Sequence, residues 1–341
     1  MSSVGDSAMR SHHGVTIGAM LILLLLSGCQ RDQTIELLNV SYDPTRELYR
    51  KLHRMFAEQY RAETGKDVRI RRSHGGSSSQ ASAVMNGLHA DVVTLAVRPD
   101  IDAIAKTGRI RSDWLTSQPN RSLPYTSTIV FVVRRGNPKQ IHDWDDLVKP
   151  GVQVIPANPK TGGGARLNFL AAYGAFRKQG NSEAEALEKL GVLYRNAPVL
   201  DGGARSATIT FVRKNIGDVQ LTWENEAELE KIELGDAIEI IRPKVSILAE
   251  PHVALVDQNV DEKGTREITQ AFLQFLYSET AQEVIAQEFY RPTNPTIAEK
   301  YRDRFPPMEL LRVDDVVPGG WDAAQKRFFA SGGIFDQIYR K

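Results

Sequence analysis

A chain of 341 residues, 41% hydrophobic and 25% charged, can bury a substantial core and is long for one domain, so two domains are the better expectation. Its formal net charge of +1 gives no electrostatic reason to expect nucleic acid or an acidic surface as partner. No heptad run, zinc-type ligand spacing or low-complexity tract stands out, and the single cysteine, Cys29, excludes an intramolecular disulfide.

Residues 1–13 are polar and carry Arg10, His12 and His13, whereas 14–26 is almost wholly apolar. That apolar run is short for a membrane span and has the layout of a secretory signal. It closes on Leu26-Ser27-Gly28-Cys29, which resembles the bacterial lipoprotein lipobox. The resemblance implies a signal at 1–28, a diacylglycerol on Cys29 as the new N-terminus, a tether at 29–33 and a soluble body beyond. Lipidation also accounts for a lone thiol in an exported chain.

In the body, residues 34–42 (TIELLNVSY) read as a buried strand. Asp43-Pro44 follows as a helix start, with Asp43 at the N-cap and proline at the first helical position. Leu48, Leu52, Met55, Phe56 and Tyr60 then trace one apolar face. A strand at 68–72 feeds Gly75-Gly76-Ser77, a helix follows with Ala81, Val84, Met85 and Leu88, and 91–96 is a third strand before a further helix at Ile101, Ile104 and Ala105. Strands alternating with helices predict an α/β fold with a largely parallel sheet.

A second unit of the same kind begins with the β-rich run 126–133. A short strand at 152–155 leads into Thr161-Gly162-Gly163-Gly164-Ala165-Arg166, and a helix runs from about Ala165. A charged helix at 182–194, the Asp201–Ser206 turn, a helix through Phe211 and a strand at 218–222 follow, the last running into Trp223-Glu224-Asn225-Glu226. Strands are expected at 238–241 and, as one long element, at 247–256; 261–341 reads as mostly helical.

The strand–glycine–helix junction recurs at 75–77, 162–165 and 202–206. Glycine lets successive N–H groups point one way, and a helix N-terminus adds partial positive charge, so such a junction holds an anion. In open α/β sheets ligands sit outside the carboxyl ends of the strands. The turns at Asp43, Ser77, Gly163 and Ala204 all lie at that edge, in both halves of the chain. This places a ligand in a cleft between two lobes, held mainly by neutral backbone donors. Trp223 fits such a site because an indole N–H only donates, although it reads equally as core packing. Arg166 and Arg205 read more readily as partners of carboxylates that stiffen the loops than as anion contacts.

Catalysis finds no support in the residues. A P-loop needs Lys and Ser or Thr after its last glycine, where this chain has Ala165-Arg166. No nucleophile–base pair and no metal-binding carboxylate cluster is apparent, so neither metal nor cofactor is expected. A regulator would need an appended helix-turn-helix, and the leader is a signal instead.

The body resembles the sulfate-binding protein family, the extracytoplasmic receptors of ABC importers for sulfate and thiosulfate. The resemblance rests on Leu37-Leu38-Asn39-Val40-Ser41-Tyr42-Asp43-Pro44-Thr45-Arg46, Ser73-His74-Gly75-Gly76-Ser77, Ala90-Asp91-Val92-Val93-Thr94-Leu95 and Gly136-Asn137-Pro138-Lys139. It continues through Asn158-Pro159-Lys160, Gly163-Gly164-Ala165-Arg166, Gly203-Ala204-Arg205, Trp223-Glu224-Asn225-Glu226 and Ile247-Leu248-Ala249-Glu250-Pro251. It implies a two-lobed periplasmic-binding-protein fold of type II, each lobe a mostly parallel sheet flanked by helices, with the ligand in the interlobe cleft. Lobe I is expected at 34–125 plus 250–300 and lobe II at 126–249, with 301–341 assigned to neither.

The family's ligand contacts carry over to the backbone N–H groups of Asp43, Ser77, Gly163, Gly164 and Ala204 and to the indole of Trp223, with Thr161, Arg166 and Arg205 in support. The Asp43 side chain is expected to cap its own helix, leaving only its N–H for the anion. One position departs: the family usually has a serine whose hydroxyl donates to the anion where this chain has Gly162. Either Thr161 or a water takes that place, or affinity and selectivity change. The implied partners are sulfate or thiosulfate and the membrane permease subunits, for a monomeric, exported lipoprotein that binds no nucleic acid; molybdate and phosphate are the rival anions.

Overall fold

The strand Ile35–Tyr42 buries Leu37, Val40 and Tyr42 and is paired along both edges. The computed structural model describes residues 34–339; the expected signal, Cys29 and the tether lie outside the described residues. In the first four-stranded sheet the order is His252–Leu255, Val92–Leu95, Ile35–Tyr42, Val68–Gly75. Ile35–Tyr42 runs parallel to Val68–Gly75 and Val92–Leu95, while His252–Leu255 is antiparallel to its neighbour. Parallel neighbours need crossovers, supplied by the helices Arg46–Thr64 and Ser77–Met85. Leu48, Tyr49, Leu52 and Phe56 of the longer helix pack with Phe272, Phe275 and Leu276. The helix therefore presents the apolar face its spacing predicts.

The second four-stranded sheet has the order Val154–Ile155, Val219–Trp223, Ile129–Arg134, Ile238–Ile241. Ile129–Arg134 is antiparallel to both its neighbours, and Val154–Ile155 is parallel to Val219–Trp223. Each sheet thus has three strands that point one way and one that is reversed, in both cases the strand entered when the chain passes between the sheets. The reversed strand of the second sheet is central and buried on both faces, which is why IVFVV is an unbroken apolar run.

The terminal segment packs on the second sheet's side. Val313, Val317, Trp321, Phe328, Phe329 and Phe335 share one apolar cluster with Phe131, Phe169 and Phe176. Glu309–Leu311 pairs in parallel with Val245–Ile247.

Two expected strands divide. The run at 247–256 becomes Val245–Ile247 and His252–Leu255, which lie in different sheets. Pro251 has no N–H to give a ladder, and the chain passes between the sheets there. Similarly, 126–133 begins as the short strand Tyr125–Thr126, paired with Arg291–Pro292, before Ile129–Arg134. The two passages run side by side, with Ser127 and Ala249 exchanging backbone hydrogen bonds of 3.0 and 2.9 Å. An apolar run carries no local mark of such a break, since both halves are buried.

Candidate anion-binding site

The carboxyl ends of Ile35–Tyr42, Val68–Gly75 and Val219–Trp223 converge on one small cavity. Its wall includes every candidate contact: Asp43, Ser77, Gly162, Gly163, Gly164, Ala204 and Trp223. The interior volume is about 20 Å³, slightly more than the ~10–15 Å³ that one water-sized sphere needs. Such a space suits a compact ion. None of the described residues lining it is Lys, Arg or His.

Three helices begin at the wall, with Ser77, Gly163 and Ala204 as their first residues. First-turn N–H groups have no carbonyl one turn back to bond. Here each N-cap is a glycine, Gly76, Gly162 or Gly203, with no side chain to satisfy them. The donors of Ser77, Gly163, Gly164 and Ala204 are therefore left for whatever occupies the cavity, with the helix ends adding partial positive charge. Asp43 opens a short 3₁₀ turn, Asp43–Thr45, at the strand end beside the Gly75–Ser77 junction.

Close approach demands glycine at two of these positions. A Cβ on Gly76 would stand 2.6 Å from the Thr161 carbonyl oxygen and 3.0 Å from that of Gly202, so the turns of the two halves touch backbone to backbone. A Cβ on Gly164 would stand 2.3 Å from Trp223 Nε1. The indole is thereby laid against the glycine run, its ring 5.1 Å from that of Tyr42. Trp223 is buried and lines the cavity.

Two expectations need correction, those for Thr161 and Asp43. Gly162 lines the cavity but brings no donor, because its N–H donates to Asn158 O at 2.9 Å and it has no side chain. Thr161 does not stand in for the missing hydroxyl: it is outside the cavity wall, and its Oγ1 donates to Gly202 O at 2.8 Å. Asp43 does not cap its helix. Tyr42 holds the N-cap position and makes no side-chain cap bond, and Thr45 at the start of Arg46–Thr64 makes none either. Because the chain turns immediately after Tyr42, Asp43 lies inside the first turn rather than before it. Its carboxylate faces Arg46 at 3.7 Å and lies where a Cβ on Gly203 would be 2.8 Å from Oδ2. Burial raises its pKa, with Arg46 and Arg205 opposing that shift.

Both arginines pair with carboxylates. Arg166 Nη1 donates to Asp100 Oδ1 at 3.0 Å, Nη2 to Ser78 Oγ at 2.7 Å and Nε to Pro159 O at 3.2 Å. Ser77 Oγ donates to the same Asp100 at 2.6 Å and accepts from Ala96 N at 3.1 Å, so its hydroxyl is already engaged and its backbone N–H is the available donor. Arg205 Nη2 donates to Glu47 at 2.8 Å and its Nε lies 3.7 Å from Glu226. Glu226 is buried and pushed up to about 8 by desolvation, against the pull of Arg205; Glu230 behind it is pushed up to about 7 for the same reason. Sequence reasoning missed Asp100, Glu47 and Ser78. Nothing in the local pattern around Asp100 distinguishes it from an ordinary acidic residue in a helix's first turn. Among the described residues no cluster of acidic, His or Cys side chains is arranged to hold a metal.

Residues 46–291 match the family model described as bacterial extracellular solute-binding protein. The sulfate-binding protein of Escherichia coli K12 is 52% identical over 326 residues, 95% of this chain and 99% of that protein. The thiosulfate-binding protein of Pseudomonas aeruginosa is 47% identical, over 89% of this chain and 92% of its own length. Among solved structures, the sulfate-binding protein SubI from Mycobacterium tuberculosis H37Rv superposes with a TM-score of 0.78 at 31% identity, covering 86% of this chain and 99% of that one. The fold is thus the two-lobed type II periplasmic-binding-protein fold, and the chain belongs to the bacterial extracellular solute-binding proteins, in the sulfate- and thiosulfate-binding branch of that family.

Proposed function

We propose that this protein captures sulfate, with thiosulfate as second ligand, and delivers it to the membrane permease of an ABC importer. One observation carries the reading: an ion-sized cavity walled by unbonded first-turn N–H groups of glycine-capped helices from both halves of the chain, with no cation in the wall. Sulfate is fully ionised near neutral pH and offers only acceptors, which matches a wall of donors. The contacts are the N–H groups of Asp43, Ser77, Gly163, Gly164 and Ala204 and the indole of Trp223. Arg166 and Arg205 hold the loops in place through Asp100 and Glu47.

The lobes are 34–125 with 250–300, and 126–249, the latter joined by the terminal segment that packs against it. Ligand closes the cleft, because donors from both lobes must reach one ion. The protein acts as a monomeric receptor without catalytic chemistry, exported and tethered by lipid on Cys29. The uncapped Asp43 carboxylate favours a second reading, a protonated oxyanion such as hydrogen phosphate donating to it. Calorimetric titration with sulfate, thiosulfate, molybdate and phosphate separates the two. Sulfate should bind tightest, and tighter binding of phosphate at pH 7 would refute the proposal. Cell fractionation of Cys29→Ala should move the protein to the soluble pool; retention in membranes would refute the anchor.

A further inference from the structure

Lys160 stands two residues before the glycine run, separated from it by Thr161, yet it is not part of the cavity wall. Its Nζ donates to the carbonyls of Phe329 and Ala330, both at 3.0 Å, and to Asp336 Oδ2 at 2.8 Å. An ammonium has three protons, and here each has an acceptor. All three acceptors come from the terminal segment, 169 to 176 residues further along the chain.

The acceptors are themselves held in place. Gly332 N donates to Asp336 Oδ2 at 2.7 Å. Phe329 packs edge-on against Phe169, its ring centroid 5.3 Å away, on the helix that the glycine run opens. The Arg166 guanidinium lies over the Phe329 ring at 5.9 Å. On the other side of the loop, Asn158 accepts from Lys160 N at 2.9 Å and from Gly162 N at 2.9 Å. The segment 158–166 is therefore gripped by its own turn on one side and by the terminal segment on the other.

We propose that Lys160 is a positioning residue that docks the anion loop onto the terminal segment and so aims the N–H groups of Gly163 and Gly164. The segment 325–339 then belongs to the binding machinery although it contributes no ligand contact. This rests on the reading of the cavity as the sulfate site. Backbone donors act only from the right direction and distance, and hydrogen bonds weaken steeply off axis. A loop released from the clamp spends part of its time with those donors turned away. Apparent affinity falls in proportion to the competent fraction.

Calorimetric titration of the purified protein with sulfate, well below its melting temperature, tests this. Lys160→Met should raise the Kd about tenfold or more, as a competent fraction of about a tenth requires. Lys160→Arg, which keeps charge and donors, should recover most of that loss. Phe272→Leu in the first sheet's core, lowering the melting temperature to a similar extent, should leave the Kd unchanged. If Lys160→Met fails to fold, Asp336→Asn makes the same test more gently. A wild-type Kd in folded Lys160→Met, or an equal shift in Phe272→Leu, would overturn the clamp. Trp223→Phe belongs in the same series: if it too binds normally, the cavity assignment falls together with the clamp, whereas weakened binding in Trp223→Phe beside a wild-type Kd in Lys160→Met overturns the clamp alone.

Discussion

Gly162→Ser examines the position where this chain departs from the sulfate-binding pattern. Gly162 has φ −113° and ψ 121°, extended backbone open to any residue. A Cβ there would lie 3.5 Å from Asn158 O, 3.6 Å from Ala165 Cβ and 3.7 Å from Gly202 O, all ordinary contacts that displace nothing. The substitution therefore adds a hydroxyl to the cavity wall without strain. A hydrogen bond to a charged group contributes ~1.5–3 kcal/mol, less the rotamer freedom the side chain gives up, leaving about 1–2 kcal/mol. Sulfate should bind about 5- to 30-fold more tightly. Gly162→Ala fills the same space without a donor and should leave sulfate affinity nearly unchanged, which separates the hydroxyl from its carbon. Thiosulfate should gain less than sulfate if its terminal sulfur, a larger and poorer acceptor, faces residue 162. Unchanged or weaker sulfate binding in a folded Gly162→Ser protein would refute the reasoning, since the hydroxyl would then be donating to Asn158 O or Gly202 O instead.

Trp223→Phe removes the indole donor beside Gly164 and should weaken sulfate by ~1.5–3 kcal/mol, measured by calorimetry, with circular dichroism unchanged. The Arg166–Asp100 pair is buried and joins the two halves, whereas Arg205–Glu47 is about one-third exposed. Breaking a buried pair costs ~3–5 kcal/mol and an exposed one ~0–1 kcal/mol. Sulfate-induced compaction in small-angle scattering should survive Glu47→Gln and diminish in Asp100→Asn; no compaction of the wild-type protein would remove the basis for closure. Glu226 and Glu230, raised to about 8 and about 7 by burial, contribute stability that is complete below the unfolded carboxylate range and is lost as pH rises through those values. The melting temperature should fall between pH 6.5 and 8.5, above the window in which His74 and His252, both lowered to about 4 by burial, affect it. Glu226→Gln should flatten that fall, and an unaltered pH profile would show that the carboxylate stays ionised beside Arg205.

Much of the molecule was legible along the chain. Apolar runs bounded by glycine and proline marked most strands, and helical spacing marked the Leu48–Leu52–Phe56 face. The recurring glycine junctions located the turns that meet at the cavity. These signals are local: backbone conformation and burial periodicity act within a few residues, so sequence alone determined the strand–glycine–helix junctions, the export-like leader and the lone Cys29. What the junctions meet was decided only by tertiary packing. The chain's passages between sheets split two apolar runs, because a buried strand reads the same whichever sheet receives it. The Asp43 side chain missed its expected cap because the chain turned one residue early. Asp100, Glu47 and the terminal acceptors of Lys160 lie far from their partners in sequence. Their positions depend on how two sheets and a returning segment pack, and a charged residue carries no local mark of the partner it will find across a cleft.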